Sequence, residues 1–583
     1  MTTKLTKKEM QRMDKLRKDV LREGHLVTLR DIYDRAYRHF GDRLAVVEKV
    51  AGENVSYTLG QLVSNINAVG TALIDLGFKG SHIALLGENS YEWIVSFFAI
   101  SCGVGVAVPL DKELDDETLG MLMNKADCDA VFFAKSYKKT VTKHMEANPD
   151  FKYGFSMYRS YKDERLIAFD DLVKKGEALL AQGDDRFTAA ALDREDLAAI
   201  FFTSGTTGAN KGVMLSHKNF TTNVDGIIST IPTEYTSFSL LPMNHVYELS
   251  CNIFTSTYMN AVIYINDSLK NIQKNLFEYK PDAMAAVPLV LEGFWDGIWR
   301  TAEEGGRADV LRKLLQVSNA LRKKGIDLRP KLFKIITGKF NDRKGMTFSC
   351  GGAPSRADYV QGMGDFGFCV YNGYGLTEAA PTVTLNLHAD EDPTSAGYPF
   401  PKTAVRIADP DEDGIGEIQI KGDNVTRGYY KDEAATKASF TEDGWFMTGD
   451  YGRMTPDGEL FISGRKKNLI ILDNGENIFP EELEFAVQDG IHYMKEVVAF
   501  ETHKTILDKR EKIIAVAVWI DKAEFPDLSD SELLDKAKKD LAELNKRFAR
   551  YKKIADVHIS YEEFEKNSTR KIIRQKVIDR YAE

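Results

Sequence analysis

The stretch Phe202-Thr-Ser-Gly-Thr-Thr-Gly-Ala-Asn-Lys-Gly212 follows directly on a short apolar run, Leu197–Phe202, that is typical of a buried strand. Hydroxyl side chains, glycines and one lysine in this order predict a flexible loop of hydrogen-bond donors that binds oligophosphate. The loop is not a Walker A motif, because Lys211 follows Asn210 instead of glycine and precedes Gly212 instead of Ser or Thr. A solvated turn is the alternative interpretation of this composition taken alone.

The length and charge of the chain limit the classes of protein it can belong to. The chain has 583 residues, of which 43% are hydrophobic, and it carries 77 Lys and Arg against 87 Asp and Glu. That length allows about three to five structural units, and the hydrophobic content is typical of a globular enzyme. The net charge of −10 argues against a protein that coats nucleic acid. We therefore expect no nucleic-acid partner.

Cysteine usage and the N-terminal residues predict a cytoplasmic location, with contact at a membrane surface left open. The five cysteines are scattered and include no Cys-x-x-Cys, which argues against a disulfide framework or a zinc site. The charged stretch up to Gly24 has no apolar core and predicts an exposed amphipathic helix instead of a signal peptide. The apolar run 93–110 is broken by glycines and a proline. It predicts a buried helix, Trp93–Cys102, and a buried strand, Val104–Val108, with no transmembrane segment.

Short apolar runs alternate with helical patterns through much of the chain, which predicts the fold class α/β. The predicted buried strands are Ser81–Leu86, Ala130–Ala134, Ala198–Thr203, Ala261–Ile265 and Ala283–Val287. Near-continuous apolar strands separated by helices indicate parallel sheets covered on both faces. Ala404–Ala408 and Gly416–Lys421 are instead typical of antiparallel hairpins, which indicates a β-rich subdomain.

The pattern changes again after Gly464. Lys466–Leu472 and Lys512–Ile520 are predicted strands, Pro480 begins a helix, and Ser529–Ala549 is a predicted helix. Ser529 and Glu532 are spaced for a capping box at its start. We therefore predict two domains, 1–464 and 465–583, of which the second is a small α+β unit.

Further motifs follow the phosphate loop in a fixed order. They are Leu241-Pro-Met-Asn-His245, Gly351-Gly-Ala-Pro354, Asn372-Gly-Tyr-Gly-Leu-Thr-Glu378, Gly444-Trp-Phe-Met-Thr-Gly-Asp450 and Gly464-Arg-Lys-Lys-Asn-Leu-Ile470. Together with the loop they resemble the signatures of the adenylate-forming (AMP-binding) superfamily, which includes acyl-CoA synthetases and luciferases. The resemblance runs from about residue 30 to the C-terminus. It implies a large N-terminal body of layered α/β subdomains with a β-rich subdomain, followed by a small mobile C-terminal domain.

The resemblance also implies a two-step reaction with ATP, Mg²⁺ and CoA. A carboxylate attacks the α-phosphorus of ATP and gives an acyl-adenylate and pyrophosphate. A thiol then displaces AMP. Both steps move negative charge across crowded oxygens, which fixed donors and Mg²⁺ would stabilise.

The implied nucleotide-binding residues are carried over from the matching motifs. The β- and γ-phosphates would be bound by Thr203, Ser204, Gly205, Thr206, Thr207, Gly208 and Lys211. The adenine would be bound by Gly351, Gly352, Ala353, Asn372, Gly373, Tyr374 and Gly375. Asp450 and Arg465 would contact the ribose, and Thr377 would contact the α-phosphate. Glu378 and Thr206 would hold Mg²⁺ through hard oxygen ligands.

The implied catalytic residues include His245, which would lie beside the reacting carboxylate; a structural histidine is the alternative. Lys467 would be the hinge of the C-terminal domain, Gly475 would line the pantetheine tunnel, and Lys571 would be the adenylation lysine. A surface lysine in a basic run is the alternative for Lys571.

Four positions depart from the family pattern: Asn210 and Glu565 replace prolines, Asn468 replaces aspartate and Arg570 replaces glycine. These departures weaken the assignment of individual residues more than that of the function.

A medium- or long-chain fatty acid is the expected substrate. Val287-Pro-Leu-Val-Leu-Glu292 and His245-Val-Tyr-Glu248 resemble segments of long-chain fatty acyl-CoA synthetases, and the basic insertion Arg307–Lys344 has a counterpart there. That insertion would assist at a membrane surface or form a solvated helix pair. Phe294, Trp295 and Trp299 would line an acyl tunnel or belong to the core.

Three other functions are left open. A ligase that loads an acyl carrier protein shares every adenylation motif. A phosphotransferase or ATPase would use the glycine loop to form ADP and phosphate. A catalytically degenerate nucleotide-binding protein would keep the fold without the reaction.

Overall fold

A computed structural model describes residues 6–204, 210–232, 234–341, 345–388, 392–472, 476–506, 509–566 and 572–582. The chain folds into two compact units. The first contains Met1–Ser355, Tyr359–Val405 and Ile420–Phe446, and the second contains Arg356–Asp358, Arg406–Gln419 and Met447–Glu583. The domain boundary predicted between residues 464 and 465 stays a prediction.

The helices of the described residues run along the whole chain. They are α1 (Lys7–Leu21), α2 (Arg30–Phe40), α3 (Leu59–Asp75), α4 (Tyr91–Ala99), α5 (Asp116–Lys125), α6 (Lys138–Ala147), α7 (Phe169–Ala181), α8 (His217–Thr230), α9 (Val246–Glu248), α10 (Thr255–Met259), α11 (Ile272–Tyr279), α12 (Pro288–Glu304), α13 (Ala308–Arg322), α14 (Arg329–Leu332), α15 (Lys334–Phe340), α16 (Ala357–Phe366), α17 (Glu433–Ala438), α18 (Pro480–Gly490), α19 (Asp530–Leu544) and α20 (Arg574–Tyr581).

The strands are numbered in the same way. They are β1 (Leu44–Val50), β2 (Glu53–Thr58), β3 (His82–Leu86), β4 (Val106–Pro109), β5 (Cys128–Phe133), β6 (Tyr153–Ser156), β7 (Leu166–Ala168), β8 (Leu197–Ser204), β9 (Asn210–Ser216), β10 (Thr236–Ser239), β11 (Val262–Ile265), β12 (Ala283–Ala286), β13 (Thr347–Cys350), β14 (Cys369–Gly375), β15 (Thr382–Asn386), β16 (Tyr398–Pro399), β17 (Thr403–Ala408), β18 (Gly416–Gly422), β19 (Phe446–Met454), β20 (Leu460–Arg465), β21 (Ile470–Ile471), β22 (Asn477–Ile478), β23 (Glu496–Ile506), β24 (Lys509–Trp519) and β25 (Ile554–Ser560).

Two large sheets, both largely parallel, form the first unit. The seven-stranded sheet has the order β7-β6-β5-β3-β4-β8-β9, and its single antiparallel pair among the described strands is β8 with β9. The nine-stranded sheet has the order β16-β15-β14-β13-β12-β10-β11-β1-β2, with a parallel centre and antiparallel pairs toward its edges. Helices connect most successive parallel strands, as is usual for this topology, whereas β6 leads to β7 without a helix among the described residues. The predicted fold class, α/β, is confirmed.

The predicted elements of the first unit match the structure closely. All five predicted buried strands are present, as β3, β5, β8, β11 and β12. The helix predicted at Trp93–Cys102 begins at Tyr91 as α4 and gives way to a π turn, Ile100–Val104, in which Gly103 has φ 155°. This turn redirects the chain into β4, two residues later than the predicted strand begins.

The N-terminal helix α1 is less exposed than predicted. Thr6 and Glu9 form a capping box at its start, and Met13, Arg17 and Val20 are buried. The Arg17 guanidinium donates to the carbonyls of Met259 (2.9 Å) and Glu234 (2.8 Å). The prediction of an exposed helix was wrong for this face, because apolar residues are buried there and backbone carbonyls replace part of the hydration of Arg17.

β17-β18-β19-β20 form a four-stranded sheet, and in the second unit β23-β24-β25 form a three-stranded one. The capping box of Ser529 and Glu532 begins α19 as predicted. That helix ends at Leu544, before the predicted end at Ala549. The next residue, Asn545, forms side-chain hydrogen bonds with the backbone of Ile554.

The prediction of a strand at Lys466–Leu472 is wrong for most of these residues. Lys466–Asn468 form a 3-10 turn, and only Ile470 and Ile471 pair with β22. The Asn468 side chain donates to Glu481 (2.5 Å). Asparagine favours turns over strands when its side chain has such a local partner.

The aromatic residues Phe294, Trp295 and Trp299 of α12 are partly buried and pack against a hydrophobic core cluster. Phe294 packs against Phe348, with ring centroids 5.0 Å apart, and Trp295 packs against Phe366 at 5.5 Å. This placement supports the core interpretation of the three side chains over the tunnel interpretation. Within the described residues, no helix combines the length and the apolar composition needed to span a membrane.

Helices α3 and α7 pack closely at Gly176, where an added Cβ would lie 1.8 Å from the carbonyl oxygen of Ala68. We expect Gly176→Ala to lower the melting temperature by about 1–3 °C, because two helix backbones must separate to relieve the overlap. Differential scanning calorimetry or fluorimetry measures this shift.

Gly293→Ala is the matched control, since Gly293 lies within α12 and its Cβ would have nothing within 4 Å. Alanine should keep or slightly raise stability at that position. Equal melting temperatures for the two variants would contradict the proposed packing.

Candidate functional site

The predicted phosphate loop connects two antiparallel strands of the seven-stranded sheet. β8 and β9 pair Thr203 with Lys211 and Ser204 with Asn210, so the ends of the loop are held side by side. The predicted phosphate-binding residues Gly205, Thr206, Thr207 and Gly208 lie outside the described residues. The Lys125 ammonium donates to the carbonyl oxygen of Asn210 at 2.6 Å. This contact holds the end of the loop at the position where the family pattern has proline, and the sequence alone did not indicate it.

Lys211 and Glu378, which are far apart in sequence, are joined through Tyr429. The Lys211 ammonium lies 4.7 Å from the centroid of the Tyr429 ring, and the Tyr429 hydroxyl donates to Glu378 Oε1 at 3.0 Å. Burial, and after it the charge of Glu378, raises the pKa of Tyr429, so the phenol stays protonated and a donor. A cation, a donor and a carboxylate thus lie in one row.

The segment 424–430 holds this row in place. It runs alongside β9, where Met214 N donates to Gly428 O (3.0 Å) and Tyr430 N donates to Gly212 O (2.7 Å). On its other side, Thr426 N donates to Glu378 O (2.7 Å). The position of Glu378 relative to Lys211 therefore depends on hydrogen bonds that the buried backbone must make.

Two buried asparagines fix the turn that carries Thr377 and Glu378. Asn223 and Asn424 both donate their side-chain amides to the carbonyls of Ala379 and Thr382, at 3.0 to 3.4 Å. Sequence reasoning missed Tyr429, Asn223 and Asn424. The sequence around them gave only a Gly-Tyr-Tyr run and two asparagines in polar stretches, which by themselves do not indicate a site.

The glycine motifs lie at adjacent strand ends of the nine-stranded sheet. Cys350 pairs with Asn372 across β13 and β14, so the Gly351 and Asn372 motifs meet there. Gly352 has φ +83°, and a Cβ on Gly375 would lie 2.0 Å from the carbonyl oxygen of Pro381. These two positions require glycine for the backbone itself.

Asn372 presents an unused acceptor at this edge. Its amide nitrogen donates to Pro393 O (3.2 Å), while its buried Oδ1 has no hydrogen-bond partner in the part of the chain that the structure describes. A buried acceptor without a partner is costly. It suits a ligand that offers an N–H group.

The segment that carries His245 is held from both sides by Asn89. The Asn89 side chain donates to Leu241 O (2.8 Å) and accepts from Met243 N (2.9 Å). His245 is half-buried and directly precedes α9. The hydroxyl of Tyr247 donates to Ser349 O at 2.6 Å, which ties α9 to the strand that leads into Gly351.

Glu248 is completely buried one turn after His245. Its Oε1 accepts from the Asn252 amide at 2.7 Å. Burial raises the pKa of Glu248 to about 8, against the opposite effect of hydrogen bonds from Ser239 and Asn252. At neutral pH the carboxyl is therefore mostly protonated and adds little negative charge.

In the second unit, Asp450 and Arg465 are neighbours on β19 and β20. Arg465 Nε lies 2.8 Å from Asp450 Oδ1, and Asp450 is 3% exposed. Lys467 follows in the 3-10 turn, and its pKa is lowered by burial and by the nearby charges of Arg465 and Arg574. The structure thus brings the predicted ribose pair together and puts the predicted hinge lysine next to it in the chain.

Gly475 and Lys571, predicted for CoA and for adenylation, lie outside the described residues. The chain on either side of 567–571 is held by a bridge between Lys566 and Ile572. Arg574 then donates to Glu484 (2.5 Å) and to Ala499 O (3.1 Å) at the start of α20. Both ends of this segment are therefore attached to the second unit.

Comparisons with known proteins identify the family. A family model described as AMP-binding enzyme matches residues 33–430, and one described as AMP-binding enzyme C-terminal domain matches residues 467–583. The chain is 28% identical over 538 residues to the chloroplastic long-chain-fatty-acid–[acyl-carrier-protein] ligase AEE15 of Arabidopsis thaliana, which covers 80% of this chain and 74% of that protein. It is also 28% identical over 499 residues to the peroxisomal long chain acyl-CoA synthetase 6 of the same plant, with coverages of 79% and 69%.

Solved structures share the fold. One of them is O-succinylbenzoate coenzyme A synthetase from Bacillus subtilis in complex with ATP and magnesium ion. It has a TM-score of 0.68 and 20% identity to this chain, and the match covers 95% of this chain and 99% of that one. At this identity the likeness shows the fold alone.

The raised pKa of Glu248 predicts how stability depends on pH. Between about pH 5 and 8 the folded state keeps a proton that the unfolded state has lost, so stability should fall as pH rises, by at most about 1.4 kcal/mol per pH unit. Glu248→Gln removes this titration, and its unfolding free energy should depend less steeply on pH over that range.

The exposed Glu177→Gln is the control and should leave the slope of the wild-type protein unchanged. Denaturant titrations at several pH values compare the three proteins. If Glu248→Gln and the wild type have the same slope, Glu248 is not a neutral buried carboxyl.

Proposed function

Because the chain belongs to the AMP-binding enzyme family, we propose that it is an ATP-dependent, AMP-forming acid–thiol ligase whose acid is a medium- or long-chain fatty acid and whose thiol is CoA. A carboxylate oxygen bonds to the α-phosphorus of ATP and the bond to pyrophosphate breaks. The thiol sulfur then bonds to the acyl carbon, its proton is released, and AMP leaves. The row Lys211–Tyr429–Glu378 is the single observation that carries this proposal.

That row combines the two charges that a magnesium-bound polyphosphate needs. Lys211 supplies a cation for phosphate oxygens, and Glu378 supplies a hard carboxylate oxygen of the kind that Mg²⁺ prefers. A carboxylate has about four acceptor sites, and the Tyr429 hydroxyl uses one of them. The residues present therefore fit Mg²⁺, which when bound would neutralise charge that develops on the phosphates.

The other roles are proposals for individual side chains. The β- and γ-phosphates are bound by Thr203, Ser204, Gly205, Thr206, Thr207, Gly208 and Lys211. Thr206 also binds the magnesium ion together with Glu378. Thr377 binds the α-phosphate. Asn372 accepts from the exocyclic amine of adenine through the Oδ1 that has no partner in the described part of the chain. Tyr374 stacks on the base. The backbone approaches the base closely at Gly351, Gly352, Ala353, Gly373 and Gly375.

In the second unit we propose Asp450 and Arg465 for the ribose, with the ion pair between them orienting the carboxylate. Lys571 acts in adenylation and Gly475 lines the path of the pantetheine. We also propose the division into domains 1–464 and 465–583, with a hinge near Lys467. His245 lies beside the reacting carboxylate and needs no basic function there, since a carboxylate is already ionised at neutral pH.

The fatty acid and CoA are supported by the names of the relatives. One of them is named as an acyl-CoA synthetase and the other as an acyl-carrier-protein ligase, so a carrier protein is the second candidate acceptor. The five cysteines are free thiols, which supports the proposed cytoplasmic location.

The product assay tests the reaction class. With purified protein, Mg-ATP and acids of graded chain length, we expect AMP and pyrophosphate in equal amounts, only when acid is present, and multiple turnovers only when CoA is added. Free acyl-CoA formed without a carrier protein supports CoA as the acceptor. Turnover with a carrier protein alone would favour the second candidate.

Two outcomes of this assay would contradict the proposal. Formation of ADP and phosphate indicates a phosphotransferase or ATPase. Nucleotide binding without any product indicates a degenerate binding protein. Lys571→Ala is the negative control, which should bind ATP like the wild type and form little adenylate.

Tyr429 tests the site itself. We expect Tyr429→Phe to lower kcat/KM for Mg-ATP about tenfold, because Glu378 loses the hydrogen bond that orients it while the ring beside Lys211 is kept.

Tyr430→Phe is the matched control, because the Tyr430 hydroxyl bonds to the exposed Asp127. It should keep nearly all activity. Loss of activity in both variants alike, or in neither, would remove the row from the mechanism.

A further inference from the structure

Strand β9 has an outer side that is bonded by the segment 424–430 and not by another strand. β9 is the last strand of the seven-stranded sheet and pairs with β8 on its inner side. On the outer side, Gly212 O accepts from Tyr430 N, and Met214 N donates to Gly428 O. In an antiparallel strand the N–H and C=O groups of one residue point the same way and alternate between neighbours. Residues 210, 212 and 214 therefore direct their backbone groups away from β8.

This outer ladder ends before it reaches Asn210. Lys431 has φ 53°, and the chain turns there toward α17. The amide of Asp432, which would come next in the ladder, bonds back to Tyr429 O at 3.2 Å. Among the described residues, the carbonyl of Asn210 therefore has no backbone donor on its outer side. The ammonium of Lys125, the last residue of α5, donates to this carbonyl at 2.6 Å.

Lys125 thus takes the place of the missing backbone donor at the first residue of β9. Asn210 is opposite Ser204, but because its backbone groups point outward this pair adds no hydrogen bond between the strands. The bonds between β8 and β9 begin with Thr203 and Lys211. Without the ammonium, Asn210 would be bonded on neither side, and the residue that precedes Lys211 would be free to fray.

We propose that Lys125 is a positioning residue for nucleotide binding: by donating to Asn210 O, it fixes the backbone from which Lys211 extends. This inference rests on the proposed function, in which Lys211 binds the β- and γ-phosphates. Lys125 acts through Asn210 and Lys211 and not on the nucleotide. Residues that are restrained before the nucleotide arrives lose less conformational entropy when it binds, so the contact favours binding more than chemistry.

Lys125→Met tests this role, because methionine keeps an unbranched side chain and removes the donor. We expect KM for Mg-ATP to rise about fivefold while kcat changes by less than about twofold, since Lys211 is held equally once nucleotide is bound. Steady-state kinetics of pyrophosphate release at a saturating concentration of acid measure both constants.

Lys79→Met is the matched control. The Lys79 ammonium also donates to a backbone carbonyl at 2.6 Å, that of Gly103 in the turn before β4. This variant should keep the KM of the wild type. An equal rise of KM in Lys79→Met and Lys125→Met would indicate a general effect of losing such a bond and would overturn the proposal.

A proline at position 210 separates positioning from direct contact between Lys125 and the nucleotide. Asn210→Pro restricts φ without breaking a bond to β8, because the N–H of this residue points outward. In that background Lys125→Met should raise KM by less than about twofold, since the ring supplies the restraint instead. A fivefold rise in both backgrounds would mean that the ammonium acts on the nucleotide by its charge, and positioning would be wrong.

Hydrogen exchange of the nucleotide-free protein tests the restraint without the reaction. We expect a peptide that covers β9 to exchange several times faster in Lys125→Met than in the wild type and in Lys79→Met, while peptides from β23 exchange alike. Equal exchange of β9 in all three proteins would overturn the proposal even if the protein forms AMP. Faster exchange in a protein that forms no AMP would support the restraint and refute the proposed reaction.

Discussion

The hydrogen bonds of the segment 424–430 are the constraint on which the candidate site depends. The segment pairs with β9 on one side and with the turn at Glu378 on the other. A buried backbone group that loses its partner costs about 1–3 kcal/mol, so these bonds leave little freedom in the distance between β9 and the turn. Lys211 lies on β9 and Glu378 in the turn. The row of Lys211, Tyr429 and Glu378 follows from this arrangement.

Burial keeps two acidic groups of the first unit neutral. The buried Glu248 is mostly protonated at neutral pH, and Tyr429 stays a phenol. An ionised Glu248 would add a negative charge next to the segment of His245, where the proposed acid substrate is itself an anion. Burial achieves neutrality here without a counter-ion, because the desolvation of a carboxylate is unfavourable enough to keep the proton bound.

The distribution of basic side chains along the chain also follows from the charge of the proposed substrates. The proposed substrates are anions, and the chain as a whole is acidic, so cations must be placed locally. Lys125 and Lys211 are placed at the phosphate loop through specific contacts, whereas the lysines of α13–α15 are exposed and serve no contact within the described chain. The specific contacts of Lys125 and Lys211 suit a small ligand held in fixed geometry.

Much of the fold and the family could be predicted from local sequence. Apolar runs of strand length gave β3, β5, β8, β11 and β12, because burial on both faces requires such runs. The order of six short motifs identified the adenylate-forming superfamily, and the family model confirms it. The errors arose where a side chain has an unexpected partner: Arg17 on α1, Asn468 before β21 and Asn545 at the end of α19.

The sequence by itself determined the class of fold, the family and the residue types available for phosphate binding, since these depend on neighbouring residues and on short spacings. Only the tertiary structure decided that Tyr429 joins Lys211 to Glu378, that Lys125 holds Asn210, and that Asn223 and Asn424 share the same two carbonyls. Each of these contacts links residues more than 40 positions apart. Local patterns carry no information about such contacts, because they depend on which strands the sheets bring together.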